Sequence, residues 1–179
     1  NFLPWQRLAA DRKARFAVVP LTAEGTLDLP KLRKLLATER VRVLALAHVS
    51  NVLGTINPIA VIAKLCKKYG TILVVDGAQA VGHMPVDVQK LGCDFYAFSG
   101  HKMYGPMGIG VLWGRAELLG RMEPMLVGGE MVKTIPVHDG FQATHLFSRH
   151  PERKRRILTL RHSSGQGFFG QSPQNDGIE

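Results

Sequence analysis

The chain is 179 residues long, 45% apolar, and carries a formal net charge of +9. That length can bury one good core, the apolar content suits an ordinary soluble domain, and no apolar run approaches the roughly 18 residues of a membrane span. Two cysteines, Cys66 and Cys93, exclude a disulfide framework and leave a cytosol-like setting as the default. No charged-then-apolar signal segment follows Asn1, so a cytoplasmic location is expected unless a targeting segment precedes it. A basic balance raises nucleic acid as a partner. The cations, however, are spread over apparent helix faces, with Lys31, Arg33 and Lys34 on one and Lys64, Lys67 and Lys68 on another. Solvated helix faces account for them better, and a mildly basic surface also attracts anionic cofactors and acidic carriers.

In chain order, Asn1 to Arg12 predicts a helix opened by Pro4, with Trp5, Leu8 and Ala9 on one side. Phe16 to Val19 reads as a short strand closed by Pro20, and Glu24-Gly25 as a turn. Leu29, Leu32, Leu35 and Leu36 carry the 3.6-residue period of an amphipathic helix. Val41 to Ala47 predicts a buried strand, with His48-Val49-Ser50-Asn51 as its polar exit. Pro58 opens a helix that turns Ile59, Ile62, Ala63 and Cys66 inward and stops near Gly70. Ile109 to Trp113 predicts a strand that returns antiparallel after a short glycine turn. Strand and helix alternate, so the fold class is α/β, a mostly parallel, doubly wound sheet with helices on both faces.

Thr71 to Pro106 is the stretch that carries chemistry. The run Ile72-Leu73-Val74-Val75 suits a strand covered on both faces and stops at Asp76; a second run, Phe95-Tyr96-Ala97-Phe98, stops at Ser99-Gly100-His101-Lys102. Ligands of open α/β sheets sit beyond the carboxyl ends of the strands, so Asp76 and Lys102 can face one crevice. A lysine amine bonds covalently to an aldehyde, and a carboxylate keeps a pyridine nitrogen protonated. Together they are what a pyridoxal 5′-phosphate site requires. Gln79 carries an amide able to reach the cofactor's phenolic oxygen, and Ser99 and His101 can donate hydrogen bonds to its phosphate. Singly, Asp76 reads as a helix N-cap, Lys102 as an exposed loop lysine and Asn51 as a turn asparagine. His48 and His83 read as strand-end or loop histidines.

The segment DGAQAVGHMPVDVQKLGCDFYAFSGHKMYGPMGIG resembles the central part of class V, fold-type I pyridoxal phosphate enzymes, and HVSNVLGTINPI is similar to the same group. Within that class SNVLGT, DGAQ and SGHK look most like the group II (SufS-like) cysteine desulfurases and their selenocysteine lyase relatives. The resemblance implies that Lys102 is the catalytic, cofactor-bearing lysine and that Asp76, Gln79, Ser99, His101 and Asn51 bind the cofactor, with no metal. It implies L-cysteine or L-selenocysteine as substrate, release of alanine, transfer of sulfur to an enzyme thiol for iron–sulfur cluster assembly, a homodimer and a sulfur-acceptor protein. Residues 1–144 then form an incomplete fold-type I large domain. The nucleophilic cysteine, the ring-stacking histidine, the glycine-threonine phosphate loop and the carboxylate-binding arginine are expected outside this chain, so weak or absent turnover is expected of it alone. Within the matched region, Met107 replaces a small hydroxyl residue, and Val127 a glycine. Cys66 and Cys93 read as buried structural thiols.

Residues 145–179 lose the resemblance, lack a sustained period and read as a divergent basic tail, physically a disordered one. A shifted reading frame, or a nucleic-acid arm over Arg149 to His162, are the other readings of that segment. For the whole chain, the alternatives to a cysteine desulfurase are selenocysteine lyase or another class V enzyme, and a non-catalytic remnant that pairs with a partner subunit.

Overall fold

The computed structural model describes residues 1–122 and, beyond them, the backbone of three short strands, β5 (Ile135–Pro136), β6 (Gln142–Ala143) and β7 (Ile157–Arg161). Helix α1 spans Leu3–Asp11, with Pro4 in its first turn. Helix α2 (Leu29–Thr38) begins where the Asp28 carboxylate accepts a hydrogen bond from the Lys31 N–H at 2.9 Å, so one of the amides left free at a helix start is satisfied. Helix α3 (Ile59–Tyr69) buries Ile59, Ile62, Ala63 and Cys66, the i, i+3, i+4, i+7 stripe of an amphipathic helix. It ends at Gly70, whose left-handed backbone (φ 67°) suits a residue without a Cβ.

Strands β1 (Val43–Ala47), β2 (Ile72–Asp76) and β3 (Phe95–Ser99) pair in parallel, and β4 (Ile109–Gly114) returns antiparallel against β3. The sheet order is β1-β2-β3-β4-β7. Leu73, Val75 and Tyr96 point to one face and close on Leu32 and Leu36 of α2, the buried stripe of α3, and Cys93. The opposite face is drier in sequence than in space. Val74, Asp76, Ala97 and Ser99 are only half-buried there, beside Asn1 and Trp5 at the start of α1.

Two features depart from the sequence reading. Phe16 to Val19 forms no strand; the nearest pairing is a single bridge between Leu21 and Leu27, and among the described residues no strand offers Phe16 to Val19 a ladder. Two one-turn helices, α4 (Val88–Leu91) and α5 (Ala116–Leu119), are too short to leave a period in the sequence. Strand β7 pairs antiparallel with β4, Ile109 opposite Arg161 and Trp113 opposite Ile157. The boundary expected at Thr144 and the rest of the tail lie outside the described residues. Among the described residues no helix is long and apolar enough to cross a membrane.

At the core's polar end, His48 (3% exposed) and Tyr96 (fully buried) share a 2.9 Å hydrogen bond between Nδ1 and the phenolic oxygen, with their rings edge-to-face. Burial pushes the His48 pKa below its ordinary value. The unfolded histidine therefore binds a proton at pH values where the folded one does not, and stability falls as pH drops through about 6.5. Two outcomes are expected in urea unfolding. Tyr96→Phe loses about 1–2 kcal/mol, because it orphans a buried imidazole nitrogen. His48→Asn flattens the loss of stability between neutral and mildly acid pH.

Candidate cofactor site

Because β1, β2 and β3 run in parallel, their carboxyl ends emerge at one edge of the sheet. Asp76 ends β2 and lies opposite Ala97; Ser99, two residues further along β3, shares the face of Ala97. Beyond Ser99 the chain tightens into a 3-10 turn, Gly100–Met103, which carries Lys102. The turn is closed by Tyr104, 93% exposed and left-handed at φ 65°. Gly105 donates its N–H to the Gly100 carbonyl at 2.9 Å, and a Cβ on Gly105 would lie 2.9 Å from that same oxygen. The lysine turn is therefore wound tightly enough to need glycine there.

Asp76, Ser99 and Lys102 line one cavity of about 410 Å³, floored by apolar sheet residues such as Val74, Ala97 and Leu112 and edged by Trp5. Its volume lies in the range of small-molecule sites. The Asp76 carboxylate accepts a hydrogen bond from the Ala78 N–H at 3.0 Å, which holds it at the start of the following turn. An acceptor carboxylate, a hydroxyl and an exposed amine around an apolar floor are a donor set that fits a pyridoxal ring and its phosphate.

Asn51 and Gln79 stand apart from that group. With Ser50, His83 and Met84 they line a second cavity of about 360 Å³. His101 is exposed and lines neither cavity. His83, set aside in the sequence reading, belongs to the second cavity, with Nδ1 3.0 Å from the Gln79 carbonyl oxygen. The signal for it was the four-residue spacing from Gln79 in a helical turn. His48, by contrast, is a buried core residue.

Burial pushes the Cys66 and Cys93 thiols up to about 11, and the nearby Asp94 carboxylate adds to the effect on both. Neither presents a thiolate near neutral pH, so neither suits nucleophilic work. Among the described residues no group of three His, Cys, Asp or Glu side chains can hold a metal ion.

The family model of class-V aminotransferases matches residues 1–151. The chain is 53% identical over 140 residues to a cysteine desulfurase of Yersinia pestis, an overlap of 78% of this chain and 34% of that one. It is 48% identical over 139 residues to a probable cysteine desulfurase of Halalkalibacterium halodurans, again 78% of this chain and 34% of the other. Among solved structures, the cysteine desulfurase CsdA from Escherichia coli superposes with a TM-score of 0.71 at 41% identity, over 81% of this chain and 36% of that one. The apo cysteine desulfurase of Thermococcus onnurineus gives 0.67 at 44% identity, over 76% and 33%. The chain thus spans about a third of the length of the curated relatives it matches.

Alkylation tests the two thiols. In the folded chain at neutral pH both cysteines are expected to react more than about tenfold more slowly than in urea. Fast labelling of either in the native state would contradict the burial described.

Proposed function

Since the chain belongs to the class-V aminotransferase family, we propose that it is part of a pyridoxal phosphate-dependent cysteine desulfurase of the group II (SufS-like) kind. The observation that carries this reading is the single cavity shared by Asp76, Ser99 and Lys102 at the carboxyl ends of two parallel strands. The motifs SNVLGT, DGAQ and SGHK support the subtype, and the named relatives support the reaction.

In this reading the cofactor, when bound, supplies an electron sink for the substrate's α-carbon. The protein's own residues bind, orient and move protons. Lys102 Nζ is the point of covalent attachment and, once released, the group that carries a proton to and from the α-carbon. Asp76 holds a proton on the ring nitrogen, and its bond from the Ala78 N–H keeps the carboxylate from turning away. Ser99 binds the phosphate, and the resemblance gives the same role to His101, which lines neither cavity here. The resemblance also assigns the phenolic oxygen to Gln79 and the ring and substrate carboxylate to Asn51, which requires the second cavity that they line to open onto the first. In the complete enzyme L-cysteine yields L-alanine, and sulfur passes to a thiol and on to an acceptor protein for iron–sulfur assembly. A homodimer belongs to the same reading.

Titration with pyridoxal 5′-phosphate is expected to raise a new visible absorbance band. Borohydride trapping should then place the label on Lys102 by peptide mapping. Lys102→Ala abolishes the band and the label; Asp76→Asn weakens binding about tenfold, the scale of a charge-assisted hydrogen bond. A wild-type chain that gives no band, or a label elsewhere, overturns the assignment.

Both thiols are buried, so the 179-residue chain alone should release sulfide from L-cysteine only at background rate. Sulfide release that disappears in Cys66→Ala or Cys93→Ala would show that one of them does act as the nucleophile.

A further inference from the structure

Beneath the Asp76 carboxylate lies a buried arrangement that no step above uses. Tyr96, the second residue of β3, presses its ring against the backbone of Gly77, the residue after Asp76. A Cβ on Gly77 would lie 1.9 Å from Tyr96 Cε1 and 2.4 Å from its hydroxyl oxygen. The hydroxyl continues to His48 Nδ1 at 2.9 Å. The His48 N–H in turn donates to the Asp76 carbonyl at 2.8 Å, and the Gly77 N–H to the Ala97 carbonyl at 2.7 Å. Asn57 closes the far side: its N–H reaches the His48 carbonyl and its side-chain amide the Ala47 carbonyl, each at 2.8 Å. The dipeptide Asp76-Gly77 is therefore held from the end of β1 and from β3, and two of the groups around it, His48 and Tyr96, have almost no exposed surface.

We propose that the buried His48–Tyr96 pair, seated under Gly77, is the positioning element of the Asp76 carboxylate, and so sets its aim at the cofactor's ring nitrogen. This rests on the cofactor reading above. His48 and Tyr96 are positioning residues that line neither cavity and act through the backbone of Asp76-Gly77. The buried phenol also feels that carboxylate directly: burial, then the Cys93 thiol and Asp76, all raise its pKa. A neutral hydroxyl can both donate and accept, so it can serve an imidazole in either tautomer. Glycine at 77 is what permits the ring to approach so closely. A larger residue there requires a smaller partner at 96.

The first test needs no cofactor. In the full chain, the Ala78 N–H reports the carboxylate through its bond to Asp76 Oδ1, and the Gly77 N–H reports the strand end. Tyr96→Phe is expected to speed hydrogen exchange at these two amides about tenfold more than at amides in the middle of α3, which report only the global loss of stability. Gly77→Ala does the same or worse, and the double variant Gly77→Ala, Tyr96→Leu recovers protection because the ring is gone. A rise at Gly77 and Ala78 no larger than the rise in α3, or no change at either, overturns the proposal.

The second test reads the aim of the carboxylate. The wild-type chain should bind pyridoxal 5′-phosphate more tightly than its 1-deaza analogue, which has carbon in place of the ring nitrogen. In Tyr96→Phe that preference falls about fivefold, the factor one buried hydrogen bond is worth, and His48→Gln keeps less of it than wild type. A purely structural defect weakens both ligands equally and leaves the ratio unchanged, which also overturns the proposal. If the wild type binds neither compound, the cofactor reading fails, and the exchange experiment still decides whether the pair holds Asp76.

Discussion

Parallel pairing of β1, β2 and β3 obliges all three strands to end at the same edge of the sheet. Asp76 and Ser99 reach one cavity because their strands are in register there, Asp76 opposite Ala97, with Ser99 one pleat further on. Lys102 joins them because the chain does not leave that edge after β3. It winds a single tight turn and comes straight back as β4. Had either strand run the other way, the carboxylate and the amine would stand at opposite ends of the sheet, roughly five residues of extended chain apart.

The division of labour between the two sheet faces follows from the same register. Leu73, Val75 and Tyr96 face α2 and α3 and are dry, which gives the core its rigidity. The alternate residues, Val74, Asp76, Ala97 and Ser99, face the cavity and are half-buried. A polar group on that face keeps some solvent contact, whereas Tyr96 and His48 on the dry side must satisfy one another, and do.

Much of this was legible in the residues. The inward stripe of α3, its stop at Gly70, the ends of β2 and β3 and the antiparallel sense of β4 all follow from period, glycine position and loop length. Asp76 and Lys102 announced themselves as ionisable groups that end apolar runs. What stayed hidden depends on contacts between segments far apart in the chain. Nothing around Phe16 to Val19 says that no strand among the described residues pairs with it. His48 looked like any strand-end histidine, since only folding brings Tyr96 beneath it. The split between the two cavities was equally out of reach, because Gln79 is three residues from Asp76 in sequence but lies within a turn and lines the other cavity. His101 shows the converse limit: its neighbour lines the cavity, and it does not.

The tight return from β3 to β4 has a bearing on how the molecule assembles. Pairing Ser99 with Gly110 closes a short loop, whereas pairing Val43 with Ile72 or Val74 with Phe95 must first bridge a helix and its connections. Ring-closure entropy rises with the span enclosed, so the antiparallel pair is the least costly contact in the sheet to make. The loop it closes is the one that bears Lys102, so the turn that carries this lysine can form before the parallel strands are joined.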